Sequence, residues 1–161
     1  MSSPPKKSTA VPTIATGGLI VGILDITSAF IIWRSRGVGP VHGLQGIAAG
    51  LLGSQSYPGG IATAGLGLTI HFFVAFAVVT VFYVASCKVW FLTQHALVSG
   101  LLYGVAVYLF MYWFVLPHVF STFRHSISND ALAVVVHMFL IGLPTALVVR
   151  RYSQRAMEQQ R

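Results

Sequence analysis

Five residues set in otherwise apolar stretches carry groups able to exchange protons or bind a polar ligand: Asp25, His71, Tyr108, Tyr112 and His137. A carboxyl and an imidazole brought together in low dielectric share a proton, and their titrations couple. Such a pair serves either to relay protons or to hold a small polar solute. The rest of the sequence offers little other chemistry. Only three residues are acidic, and of these only Asp25 lies inside an apolar stretch. There is no nucleophile elbow, no glycine-rich phosphate loop and no His-Glu-x-x-His motif. A non-enzymatic protein is the expectation.

The stretches that must position these groups are too apolar for a soluble fold. Of 161 residues 55% are hydrophobic and 8% charged, with a mean hydropathy of +0.78; soluble domains carry about 25% charged residues. The longest stretch, Gly60 to Cys87, contains no ionisable side chain before its end except His71 and tyrosine. A run of about 20 apolar residues crosses the hydrocarbon of a bilayer as a helix, because lipid leaves the backbone no other hydrogen-bond partners. Similar runs predict a first span over Thr13–Trp33, a third over His95–Leu116 stopped by Pro117, and a fourth ending at Val149. Ser128 or Asn129 is the expected cap of the fourth, with Asp130 in its first turn. Pro144 predicts a kink within it.

Small residues recur at helical spacing beside the polar groups. Gly18, Gly22, Asp25 and Ala29 share one face of the first span, and Gly60, Ala64, Gly67, His71 and Ala75 one face of the second. Gly100, Gly104, Tyr108 and Tyr112 share a face of the third. Such small-residue faces let helices approach closely in lipid, so they are predicted to meet protein. Between the first two spans, Gly39-Pro40 starts a helix. It reads to Gly53, about 20 Å of rise and too short to cross. A short re-entrant or interfacial helix is expected, its stripe of Gly43, Gly46, Gly50 and Gly53 against the bundle. Pro58-Gly59-Gly60 makes the following turn.

Residues 1–12 read as a disordered tail, 13–150 as a single membrane domain, and 151–161 as a basic C-terminal tail. The first apolar run follows Lys6 and Lys7 as the core of a signal peptide would, but it is long and lacks a small-x-small cleavage site, so it reads as a retained span. With four spans, Lys6, Lys7, Lys88, Arg150, Arg151, Arg155 and Arg161 share one side, and Arg34, Arg36 and Arg124 the other. The positive-inside rule then places both termini in the cytoplasm. The net charge of +7 belongs to these tails and loops, which suits anionic lipid and not nucleic acid. Cys87 is the only cysteine, so no intrachain disulfide or cysteine-based metal cluster is available.

Counting rise along the spans gives depth. Asp25 lies about 17 Å from the start of the first span and His71 about 15 Å into the second, which runs back. The two are therefore at one level of a core about 30 Å thick, facing each other across small-residue seams. Tyr108, Tyr112 and His137 are placed nearer the outer face, completing a polar pocket open to that side. Three readings stand: a proton or solute site, a pair that only fixes packing in a structural or assembly subunit, and axial ligation of a b-type haem by His71 and His137. The histidines stand one per span and at different predicted depths, which argues against haem; no cofactor or metal site is expected. His42, His95, His118 and His125 belong to loops and are expected to be solvated.

Several short segments carry a resemblance: Leu24-Asp25, Gln45-Gly46-Ile-Ala-Ala-Gly50, Leu68-Thr-Ile-His71-Phe72, Tyr103-Gly104, Leu116-Pro117 and His137-Met-Phe-Leu-Ile-Gly142-Leu-Pro144. In these the chain resembles small four-span bacterial inner-membrane proteins of the YagU-like kind. The resemblance implies a bacterial inner-membrane protein and supplies no activity. The expectation is thus an all-α, four-transmembrane-helix bundle with a short accessory helix, its partners the lipid bilayer and a second copy or a larger membrane complex.

Overall fold

The computed structural model describes residues 9–120 and 123–158. Among them there is no strand, and four helices are long and apolar enough to cross a membrane: Ala10–Ser35, Gly60–Lys88, Ala96–Val119 and Ile127–Arg155. We call these spans one to four. No more than 39% of the most apolar window of any span is buried inside the protein. The remainder, including Leu19, Ile23, Phe73, Val81, Leu102 and Phe139, faces outward. In water such a surface would be untenable for a monomer; in acyl chains it is the ordinary solvent-facing side. The protein is an all-α, multi-pass membrane bundle.

The spans run antiparallel, and side-chain bonds tie their ends. At the end bearing the termini, the hydroxyls of Thr16 and Tyr152 lie 2.9 Å apart, joining spans one and four. At the opposite end, Arg36 Nη2 donates to Asn129 Oδ1 at 2.8 Å. The terminal half is closely packed. Val21, Ala75, Val79, Val107 and Ile141 form one buried cluster, and Phe82, Tyr83, Ala96, Ala146 and Val149 a second. Gly18 is filled by the Phe76 ring and Gly22 by that of Phe72. Gly100 and Gly104 admit the backbone of span four at Leu143 and Met138, the close approach that small residues permit in lipid.

Several boundaries differ from the sequence expectations. Span one starts at Ala10, three residues early, because Pro12 falls in the first turn, where its missing N–H costs nothing; residues 1–8 of the expected tail lie outside the described part. Span three continues past Pro117 to Val119. Span four begins at Ile127 behind Ser126, not behind Ser128 or Asn129, and the Asp130 N–H bonds the Ser126 carbonyl. Its helix runs on to Glu158. Ser153 is 2% exposed and Tyr152 faces Thr16, so this segment of the expected C-terminal tail packs on the bundle; residues 159–161 lie outside the described part.

Spans three and four, whose prolines lie beyond the first turn, each carry a π-helical turn just ahead of the proline: Phe110–Val115 before Pro117, and His137–Gly142 before Pro144. The Leu116 N–H reaches back five residues to Met111, and the Leu143 N–H to Met138. A proline ring cannot sit against the carbonyl four residues before it, and the wider turn relieves that clash. Thr145 Oγ1 donates to the Ile141 carbonyl at 2.7 Å, serving a backbone group near the disturbed ladder.

The short helix, Pro40–Leu52, packs on the first third of span two. Gly67 of that span takes the backbone of Leu44 and Ala48. The buried face of the short helix is Gln45 and Ala48, not the glycine stripe. Gln45 Nε2 donates to the carbonyls of Tyr57 (3.1 Å) and Gly60 (2.9 Å), and Thr63 Oγ1 to that of Ser56 (2.6 Å). These bonds pin the turn, whose Gly53 and Gly60 adopt φ of +57° and +59°, a region that glycine alone enters freely.

Candidate functional site

Below the short helix the spans part around a cavity of about 570 Å³. Asp25, His71 and His137 line its inner part, and His42, Tyr57 and Phe120 its end toward the loops. Each of the first three lies about ten residues, or about 15 Å, from the loop end of its span: Asp25 from Ser35, His71 from Gly60, His137 from Ile127. All three therefore stand at one level. The expected offset of His137 toward the outer face is absent, because span four starts earlier than expected.

Asp25 and His71 approach to 3.9 Å between Oδ2 and Nδ1, with their side chains 28% and 10% exposed. That gap is too long for a direct hydrogen bond and short enough for strong electrostatic coupling. His137 also lies within electrostatic range of Asp25. The histidine rings are held by backbone carbonyls. His71 Nε2 donates to the Gly22 carbonyl at 2.9 Å, across the seam between spans one and two. His137 Nδ1 donates to the Ala133 carbonyl at 2.8 Å, one turn back in its own span. A carbonyl only accepts, so each bond fixes where one ring proton sits. In the neutral ring the other nitrogen, Nδ1 of His71 and Nε2 of His137, carries a lone pair.

This has a direct consequence for the Asp25–His71 gap. An ionised Asp25 facing the lone pair of a neutral His71 is an unfavourable arrangement of two acceptors. A single proton on either group converts it into an attraction. The arrangement is one that can accept a proton or a hydrogen-bond donor between the two groups, with the His71 tautomer set by the Gly22 carbonyl.

Tyr108 and Tyr112 do not line the cavity. They stand behind His137: their rings are 4.8 Å apart, and each presents to the imidazole at 5.9 and 5.8 Å respectively, edge to face. Their role in this geometry is to hold the His137 ring against span three. Both fall behind His137 because span four lies against the Gly100–Gly104 face, which the tyrosines extend.

The glycine stripe of the short helix divides. Gly43 packs on Trp33 and Gly50 on Val119, whereas a Cβ at Gly46 would meet nothing within 4 Å. Gly43, Gly46 and Gly50 all line the cavity, so the stripe also forms part of its wall. Of the histidines expected to be solvated, His42 is exposed at the cavity mouth and stacks on Tyr57 at 4.7 Å. His125 Nδ1 meets Asp130 Oδ2 at 2.9 Å on the loop side. His95 packs on Phe91 and His118 on Phe114.

Gln45, which does not line the cavity but anchors the helix that walls it, is the residue that sequence reasoning missed. The available signal was a lone amide in a helix of glycine, alanine and leucine, where an unpaired polar group is costly. Among the described residues no three His, Cys, Asp or Glu side chains converge closely enough to hold a metal ion. No family model matches this chain, and no curated protein and no solved structure is significantly similar to it.

Proposed function

We propose that this is a non-enzymatic protein of the bacterial inner membrane, with both termini cytoplasmic, that carries protons or a small solute through the Asp25–His71–His137 site. The observation that carries the reading is the 3.9 Å approach of Asp25 to the lone-pair nitrogen of His71 on a cavity wall. A pair serving only to fix packing gains most from a direct hydrogen bond. Here the two groups line a cavity and do not bond directly. Ionisable groups at mid-membrane depth are expensive, and they mark ion and substrate pathways.

The asymmetry of the bundle supports the same reading. The half bearing the termini is packed shut, while the cavity extends from the site toward the loops at Tyr57 and Phe120. A site at the base of a one-sided cavity is one of the two states that alternating access requires. The positive-inside rule supports a periplasmic open side, and the sequence resemblance to YagU-like proteins supports the inner membrane.

The test is proton uptake by proteoliposomes loaded with a pH-sensitive dye and driven by a potassium diffusion potential. Wild-type protein is expected to admit protons, and Asp25→Asn to abolish uptake while keeping the wild-type unfolding midpoint in detergent. An Asp25→Asn protein with lower stability, in a background where the wild type shows neither uptake nor solute binding, would identify the pair as structural and overturn the proposal.

A further inference from the structure

We infer that the solute is a lipophilic primary ammonium, admitted sideways from the bilayer between spans two and three. This rests on the site reading above and adds the ligand's chemistry and its route. The ligand class follows from the donor and acceptor inventory. With the shared proton removed, Asp25 offers carboxylate oxygens, His71 offers Nδ1 and His137 offers Nε2. Each is an acceptor, because the ring N–H groups are already spent on Gly22 and Ala133. A polar end built only of acceptors, with one negative charge, takes a cationic donor. The ammonium group replaces the proton of the Asp25–His71 gap charge for charge. The three groups do not converge closely enough for a metal ion, whereas N–H donors on a tetrahedral nitrogen reach acceptors spread around them.

The rest of the ligand is apolar, since the wall beyond the site is built from Val21, Ile70, Val74, Val107, Met111 and Ile141. A cavity of this volume is of the size that takes drug-like molecules. The route is marked by a second, entirely apolar space of about 460 Å³ between spans two and three. The two spans meet at Tyr103, whose hydroxyl donates to the Val78 carbonyl at 2.7 Å and whose ring lies 4.9 Å from Phe82. Their backbones otherwise stay apart, and the two spans touch through side chains of the buried clusters, Ala75 and Val79 with Val107 and Phe82 with Ala96. Val74, Val78, Val107, Met111 and Val115 line both spaces, so only side chains divide them. Val81 and Phe110, on the outer side of this partition, are 60% and 59% exposed and face lipid.

An apolar body moving from lipid into this cavity gains little, because acyl chains are as apolar as the wall. Affinity must therefore come from the polar end, and selectivity between ligands with the same tail reads that end directly. The experiment uses purified protein in nanodiscs and three probes of equal chain length: decylammonium, decyltrimethylammonium and decanoate. Binding is measured by calorimetry, with empty nanodiscs as the blank. Decylammonium is expected to bind at least about tenfold more tightly than the quaternary analogue, which has no N–H to donate. Decanoate is expected not to bind, and Asp25→Asn to lose decylammonium binding.

Equal binding of the two cations would overturn the donor argument, and preferred binding of decanoate would overturn the charge assignment. Absence of any amine binding in protein that still takes up protons would remove the ligand inference and leave the proton reading standing. Absence of both would remove the two together. The route has its own test. Ala106→Phe fills the space between spans two and three without touching the site, and is expected to slow decylammonium association several-fold while proton uptake stays as in wild type. Unchanged association in that variant would overturn lateral entry.

Discussion

Replacing Gly104 by alanine tests the backbone approach between spans three and four and, through it, the placement of His137. A Cβ built on Gly104 would lie 2.5 Å from Met138 Cα and 2.7 Å from the His137 carbonyl carbon. Ordinary contact begins near 3.4 Å, so spans three and four must part by about 1 Å to admit the methyl, an overpacking of a kind that costs about 1–3 kcal/mol. The upper part of that range is expected, because the obstacle is backbone and no rotamer change removes it. Gly142 stands opposite, with a built Cβ 2.6 Å from Gly104 Cα, so parting there propagates along the seam. Two controls calibrate the number. At Gly18 the obstructing atoms belong to the Phe76 ring, which can turn aside, and at Gly46 nothing lies within 4 Å. The expected order of loss is Gly104→Ala, then Gly18→Ala, with Gly46→Ala neutral or stabilised by up to about 1 kcal/mol from helix propensity. Thermal and SDS-titrated unfolding of the three variants in one detergent gives that order. Wild-type stability in Gly104→Ala would refute the backbone contact between spans three and four, and with it the level assigned to His137.

Four further outcomes are expected. Asp25→Asn keeps the unfolding midpoint within about 1 kcal/mol of wild type, since interhelical polar contacts in membranes average only about 0.6 kcal/mol, while proton uptake is lost; unfolding curves and dye uptake on the same preparation separate the two. Gln45→Leu strips the Tyr57 and Gly60 carbonyls of a buried donor, at a cost of about 1–3 kcal/mol, and hydrogen exchange over residues 40–60 should rise while the terminal half stays protected. His71→Gln is expected to retain more ligand binding than His71→Leu, because an amide can still donate to the Gly22 carbonyl and accept from a ligand; equal loss in both would show that the imidazole alone is required. Pro144→Ala restores an N–H to span four and removes the reason for the π turn. Stability should rise or hold, while decylammonium binding falls as His137 is rotated away; unchanged binding would mean that the turn does not set the site.

What the sequence disclosed depended on whether one span or two were needed to see it. The four spans follow from length and apolarity alone, and the level of Asp25 against His71 follows from rise per residue along two helices with clear ends. His137 was misplaced because its helix starts in a loop rich in acceptable caps: Ser126, Ser128 and Asn129 all suit the position, and side-chain identity did not decide among them. The glycines of the short helix show the same limit. Spacing identifies a small-residue face, but a face of small residues serves equally to admit a neighbouring backbone, as at Gly104, or to line an open cavity, as at Gly46. Gln45 decides between these uses by anchoring the opposite face, and its three acceptor neighbours come from a turn and a span that no helical periodicity connects to it.

The π turns tie these features into one design. Each proline could have ended its helix; instead each helix widens by one residue and continues. In span four the widened segment starts at His137, so the register break falls between the residue that faces the cavity and the glycine that seats the span against Gly100 and Gly104. An uninterrupted α-helix could not satisfy both orientations with the same spacing of five residues, because His137 and Gly142 would then differ by about 140° around the axis. Inserting the wider turn brings them closer to one side, which lets a single span both pack on span three and present an imidazole to Asp25. The imidazole of His137 adds a second bond to the Ala133 carbonyl, which already accepts the His137 backbone N–H. That bond fixes the tautomer, and the tautomer makes the site an acceptor. The proline and the π turn ahead of it thus set where His137 stands relative to Gly142, and π turns of this kind are frequent at functional sites.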